Sequence, residues 1–353
     1  MEETLFRQYI RQQPALWREL LDSHQALIAP FARLFQEICP DRLILLGSGS
    51  SHYAALMARP VLERALGVEV SCLVPSEYDP AAPLLAERPL YVAVSQSGAS
   101  TNTCELIQAL RAAGRPVAAV TERKDSPVGL AASPALVPPI GEERIGAKTK
   151  GVTLTVLTLM LMGLAVCRDE AYRDTLYAAM DRLIVHGPDN FSRTRAWCRS
   201  WRDELLPFRH FYVLGAADGL GAAREGALKL LETNYHPVSA YPLDEYLHGI
   251  QNALDQSACL LFLLPPEGRD RERMLNLQDF ACSVGAKCLL IAPGGGVEGL
   301  CLKDPGCAAL RSLVYLPVLQ TLAAELSEAR GIDVSQRRYP GFFARMGSKL
   351  GAV

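Results

Sequence analysis

The amino-acid sequence predicts an α/β protein of two tandem, doubly wound parallel sheets, each a three-layer αβα arrangement, behind an N-terminal helical extension. Two observations carry this. Short apolar runs punctuated by glycine alternate with helical segments, as in RLILLGSGSS (42–51), VEVSCLVP (68–75), LYVAVSQSGAS (90–100) and PVAAVTE (116–122), and such runs suit parallel strands covered on both faces. The pattern then recurs. LILLGSGSS at 43 has a counterpart in FYVLGAADG at 211, LYVAVSQSG at 90 in CLLFLLPPEG at 259, and PVAAVTER at 116 in AKCLLIAPGG at 286, so the offset stays between 168 and 170 residues.

Taken in order, residues 1–40 read as two helices broken near Pro14 and Pro30, with Leu16, Leu20, Leu21 and Ile28 at roughly helical spacing. The first α/β copy takes 41–188. It includes a helix through Ala54–Leu66, another from Thr101 to Ala113, and a 16-residue apolar run, Val152–Cys167, read as a buried helix on the sheet. That run falls short of the ~20 residues a membrane span needs. A polar helical connector follows at 189–207, then the second copy at 208–330 and a basic, aromatic tail at 331–353.

With 353 residues, 49% hydrophobic and 21% charged, the chain can bury two cores. A net charge of -2 offers no footprint for nucleic acid or a membrane. The ten cysteines form no C-x-x-C pair, so neither a metal site nor a disulfide framework is expected, and a reducing cytoplasm is the natural compartment. MEETLFRQYI is acidic and then amphipathic, unlike a signal peptide.

Two turns suggest a ligand. Ser95-Gln96-Ser97-Gly98-Ala99-Ser100 joins a strand to a helix N-terminus, where backbone N–H groups and small hydroxyls suit a phosphate monoester. Gly47-Ser48-Gly49-Ser50-Ser51 follows the first strand in the same way and makes Ser50 and Ser51 further candidates. A dinucleotide fingerprint is not met, because the third glycine is missing, and no cofactor is expected. The matching turn of the second copy, Gly215–Gly219, lacks hydroxyls and reads as a structural turn that aims the following helix. Lys148 and Lys150, in the loop 141–151, either assist an anionic substrate or, the commoner case, are solvated lysines at a helix start.

That following helix, from about Ala222 to Asn234, places Glu225, Lys229 and Glu232 at i, i+4 and i+7 on one narrow arc. Such a set is either an ordinary solvated pair or a proton shuttle with an amine able to form an imine. Gly226 beside the first carboxylate suggests close backbone approach. His248 arrives 16 residues after Glu232 and is followed by Gly249. Histidine's ordinary value of ~6.5 suits acid–base work at neutral pH.

The string EGALKLLETNYHPVSAYPLDEYLH (225–248), together with the S-Q-S-G-x-[ST] turn, resembles the isomerase part of the glucosamine-6-phosphate synthases and other proteins built from sugar isomerase (SIS) domains. The resemblance implies two flavodoxin-like SIS domains, with Glu232 as shuttle carboxylate, Lys229 as imine-forming lysine, Glu225 as accessory carboxylate and His248 as ring-opening base. It implies that Ser95, Gln96, Ser97 and Ser100 grip the sugar's 6-phosphate, and that His248 reaches a neighbouring subunit, hence a homodimer or higher oligomer with active sites at the interface. In relatives the tail folds over the sugar, so Arg337, Arg338, Tyr339 and Lys349 either cover the substrate or lie on a surface tail.

Departures shape the expected activity. No cysteine stands near Met1 and no amidotransferase segment precedes Leu43, so these residues are not expected to draw ammonia from glutamine; Ile250 stands where the family commonly has proline, and Lys148 where a serine is usual. The leading expectation is a fructosamine 6-phosphate deglycase. The alternatives are a glucosamine- or galactosamine-6-phosphate deaminase/isomerase and a non-catalytic phosphosugar sensor.

Overall fold

A computed structural model of the protein describes residues 3–79 and 86–351. Its elements run α1 (Leu5–Ile38), β1 (Arg42–Leu46), α2 (Ser50–Leu66), β2 (Glu69–Leu73), β3 (Pro89–Val94), α3 (Thr101–Ala112), β4 (Val117–Val120), α4 (Pro127–Ala131), β5 (Ala135–Leu136), α5 (Lys150–Leu164) and α6 (Glu170–Leu205). The second half follows as β6 (His210–Gly215), α7 (Leu220–Asn234), β7 (Val238–Pro242), α8 (Leu243–Tyr246), β8 (Ala258–Leu263), α9 (Arg269–Ser283), β9 (Lys287–Pro293), β10 (Leu300–Leu302), α10 (Ser312–Ala329) and α11 (Phe342–Met346).

Two five-stranded sheets result, ordered β2-β1-β3-β4-β5 and β10-β9-β8-β6-β7, and every strand pair is parallel. Read from its other edge, the second order is the first again, one unit further along the chain. The sequence repeat is therefore a repeat of topology. Strands β3, β4 and β8 are buried along their whole length, which explains why they read as unbroken apolar runs rather than as alternations.

The fold separates into two compact units. The amino-terminal unit comprises residues 15–144, 150–175 and 337–353; the carboxyl-terminal unit comprises 1–14, 145–149 and 176–336. In the amino-terminal unit α5 is buried at all fifteen positions, and its threonines are satisfied locally: Thr155 Oγ1 donates to Gly151 O (2.7 Å) and Thr158 Oγ1 to Leu154 O (2.8 Å). It packs on α2, where a Cβ at Gly163 would stand 3.1 Å from Leu62 Cδ2.

Two expectations need correction. The N-terminal extension is one continuous helix of 34 residues, not two broken at Pro14 and Pro30. Pro14 has no N–H for the carbonyl of Ile10, and the Gln13 side chain replaces it, its Nε2 donating to Ile10 O at 3.1 Å and to Gln320 Oε1 at 2.7 Å. The expected boundary between 188 and 189 falls inside α6, which runs through Pro188 without a break. The polar composition there belongs to an exposed helix face: Leu183, Thr194, Cys198 and Leu205 form the buried stripe.

Candidate functional site

In the amino-terminal unit the chain leaves β1 toward β2 and leaves β3 toward β4, so the carboxyl ends of β1 and β3 flank the switch point where open α/β sheets hold ligands. Both hydroxyl-rich turns lie there. Ser95 is 5% exposed, its N–H donating to Val120 O (3.0 Å) and its carbonyl accepting from Gly98 N (3.1 Å). Gly98 has φ 63°, and a Cβ there would meet Ser126 Oγ at 2.1 Å, so only glycine lets the turn seat against α4. Ser97 Oγ accepts from Ala99 N (3.5 Å), Ser100 stands at the N-cap position of α3 with its hydroxyl donating to Asn102 Oδ1 (2.7 Å) instead of accepting a helix N–H, and Ser50 and Ser51 open α2.

Two hydroxyls that the sequence reading did not single out belong to this crevice. Ser48 Oγ and Thr101 Oγ1 are buried without any hydrogen-bond partner, and they stand on the two turns that follow the adjacent strands β1 and β3. Buried hydroxyls without a protein partner are rare and call for a partner from outside the chain, water or ligand. Their signal in the sequence was only that Ser48 lies in a turn already chosen and that Thr101 follows Ser100.

Gln96 is oriented from elsewhere. Its Nε2 donates to Glu143 Oε2 at 2.9 Å, and the same oxygen accepts the N–H of Gly151 at 3.3 Å. Glu143 is 5% exposed and sits beside the positive end of α5. A Cβ on Gly151 would fall 1.9 Å from Gln96 Nε2, so the glycine makes room for the amide. Gln96 thus keeps its carbonyl oxygen and one N–H for a ligand. The solvated reading of the loop lysines fails at Lys150, which is buried at 5% exposure because it opens a helix with no solvent face; Lys148 is half-buried.

The tail returns to the same turn. Thr101 N donates to Ser348 O (3.3 Å), Leu350 N donates to Ala99 O (2.8 Å), and Ser100 and Lys349 form an antiparallel bridge. Arg337 and Lys349 both lie over the Phe343 ring, 5.0 and 4.6 Å from its centre. Arg338 lies over Tyr339, which is exposed.

In the carboxyl-terminal unit α7 brings three charged residues together, two of them out of water. Lys229 is 1% exposed and Glu225 0%. Lys229 Nζ stands 3.2 Å from Glu225 Oε1, an ion pair, and donates a short hydrogen bond to Glu232 Oε1. This excludes the ordinary solvated pair. Burial alone would push the amine down, but the two carboxylates outweigh it and hold Lys229 above its ordinary value, as an ammonium. The Glu232 side chain keeps 30% of its surface open, so of the two carboxylates it is the one in contact with solvent.

The helix can bury such a group because its surroundings are fixed. A Cβ on Gly226 would lie 2.0 Å from Leu319 Cδ1, so α10 approaches α7 at that glycine as the sequence suggested. The turn before α7 is structural, also as expected: Asp218 is paired with Arg311 (2.9 Å), and Ser312 Oγ donates to Asp218 O (2.8 Å). His248 follows α8, its N–H donating to Glu245 O at 3.1 Å, with Gly249 next at φ 109°. Its side chain is exposed.

The amino-terminal unit thus gathers small hydroxyls beside a helix N-terminus, and the carboxyl-terminal unit holds a buried ammonium between two carboxylates, one of them part-exposed. Residues 38–165 match the family model of the SIS domain. Over 347 residues the chain is 24% identical to the isomerizing glutamine–fructose-6-phosphate aminotransferase of Thermotoga maritima, covering 92% of this chain and 57% of the relative. The chain spans about half the length of the curated relatives it matches. Among solved structures, the C-terminal domain of glucosamine-fructose-6-phosphate aminotransferase from Francisella tularensis is similar with a TM-score of 0.83 at 19% identity, covering 95% of this chain and 99% of that one. Glucosamine-6-phosphate deaminase from Thermotoga maritima gives a TM-score of 0.76 at 22% identity, covering 95% and 98%. Both likenesses speak to the fold. Among the described residues no helix is long and apolar enough to cross a membrane.

Proposed function

We propose that the protein is a phosphosugar enzyme acting on amino-substituted ketohexose 6-phosphates, as a fructosamine 6-phosphate deglycase. The 6-phosphate takes the cradle of Ser95, Gln96, Ser97 and Ser100 with Ser50 and Ser51. His248 opens the sugar ring, from the neighbouring subunit of a homodimer. Glu232 then removes a proton from C1, beside the C2 carbonyl, and returns it to C2. That shift turns the C1 amine into an imine; water adds to C1 and the free amine leaves, so fructosamine 6-phosphate and water give hexose 6-phosphate and amine.

The observation that carries this reading is the clamped Lys229. A phosphosugar sensor needs only a cradle, and a buried ion triad with one reachable carboxylate is superfluous to binding while being what a proton shuttle requires. An ammonium held between two carboxylates has no lone pair for imine formation. A substrate that already contains the nitrogen has no need of one, which favours the deglycase over a reaction in which the lysine condenses with the sugar. Lys229 then holds Glu225 and Glu232 in place.

The test is incubation with fructosamine 6-phosphates of several amino acids and assay for hexose 6-phosphate and free amine. Turnover of glucosamine 6-phosphate to ketose phosphate and ammonia instead would assign the deaminase/isomerase reaction. Tight binding without turnover of either substrate would make the protein a sensor.

A further inference from the structure

A cleft of the carboxyl-terminal unit lies between the first turns of α1, the last third of α6 and the residues after α10, with a volume of about 1040 Å³. None of the residues assigned to the proposed chemistry lines it. Its walls carry Arg7, Arg11, Arg195, Arg199 and Arg202.

The carboxylates of the cleft are already engaged. Glu325 and Glu328 close on Arg7, at 2.5 and 2.8 Å, and Glu3 on Arg11 at 3.0 Å. Asp333 accepts the N–H and hydroxyl of Ser335 at 3.0 and 2.6 Å. Arg202 is held by Asp203 at 2.9 Å, with Glu325 at 3.8 Å. That leaves Arg195 and Arg199, which make no ion pair or hydrogen bond among the described residues. They stand four positions apart on α6, one turn or about 6 Å along the same face.

A guanidinium is always charged and presents its donors as a flat fork that matches phosphate oxygens two at a time. Two unpaired forks one helical turn apart match two anionic groups at the same spacing. The volume is at the upper end of the range for small-molecule sites, and larger than a monosaccharide phosphate fills. We propose that this cleft binds a small polyanion carrying two adjacent phosphates, which Arg195 and Arg199 grip together. Arg7 and Arg11 offset the charge of Glu325, Glu328 and Glu3, which lowers the repulsion that a polyanion meets in the cleft.

The experiment is calorimetric titration of the full chain with inorganic pyrophosphate, with citrate as a comparison. Wild type should bind pyrophosphate more tightly than citrate, and the double variant Arg195→Ala/Arg199→Ala should weaken that binding about tenfold or more. Arg195→Lys/Arg199→Lys, which keeps the charge and loses the fork, should fall between them. Ser97→Ala, in the other unit, should leave it unchanged. Pyrophosphate binding that is missing, that survives the alanine pair, or that disappears with Ser97→Ala overturns the proposal; citrate binding as tight as pyrophosphate overturns the diphosphate assignment. Both arginines are exposed, so the variants are expected to fold, which circular dichroism checks.

Discussion

The two sheets of this protein share one strand order, yet their corresponding turns differ in kind. After β1 and β3 stand Gly47-Ser48-Gly49-Ser50-Ser51 and Ser95-Gln96-Ser97-Gly98-Ala99-Ser100; after β6 and β8 stand Gly215-Ala216-Ala217-Asp218-Gly219 and Pro265-Pro266-Glu267-Gly268. The helix that follows the first strand differs too. In α2 the buried positions are Ala54, Ala55, Met57, Ala58, Val61, Leu62 and Ala65, whereas α7 buries Glu225 and Lys229 among its alanines. A duplicated scaffold fixes where loops and helices stand, and what each copy can do follows from a few side chains at those places.

Substitutions can break this contrast. Glu232→Gln removes the reachable proton carrier and leaves the hydroxyl turns alone, so turnover of a fructosamine 6-phosphate should drop about 10²- to 10⁴-fold. Hexose 6-phosphate affinity should stay within error in a direct binding assay, and equal loss of both would place Glu232 in binding. Lys229→Met leaves two carboxylates, one fully buried, facing each other without their cation. Unfolding in urea should show a loss of about 3 to 5 kcal/mol; a neutral result would mean that the carboxylates are protonated together.

The converse variant, Ser97→Ala, should weaken hexose 6-phosphate binding by about 1 to 2 kcal/mol and leave kcat nearly unchanged at saturation. The smallest effect concerns His210 in β6, whose Nε2 is buried without a partner and which burial holds below histidine's ordinary value. The unfolded chain takes up that proton first as pH falls, so stability should decline below about pH 6.5. His210→Gln should flatten that part of the pH profile, and an unchanged slope would assign it to other groups.

Much of the fold was legible in the sequence because parallel strands buried on both faces leave contiguous apolar runs, and because the duplicated runs keep their spacing. The arc of Glu225, Lys229 and Glu232 was legible for the same reason, since periodicity alone puts them on one face. Their burial was not. A Glu–Lys pair four apart looks the same on a wet helix as on a dry one, and what dries α7 is the approach of Leu319 to Gly226 from about ninety residues away. Pro14 misled because its replacement donor is the side chain of Gln13, which local propensity rules do not count. The Glu143–Gln96 contact and the pairing of Lys349 with Ser100 join residues far apart in sequence, and no motif announces either.

That last pairing has a thermodynamic corollary. The amide of Thr101 sits where an anion at the start of α3 would seek a donor, and the carbonyl of Ser348 already occupies it. A ligand that uses this amide must first displace a tethered rival present at high effective concentration, so its apparent dissociation constant equals the intrinsic one divided by the fraction of molecules in which the rival is detached. Loosening the contacts of Ser348 and Leu350 with residues 99–101 would therefore tighten the binding of any ligand that uses this amide.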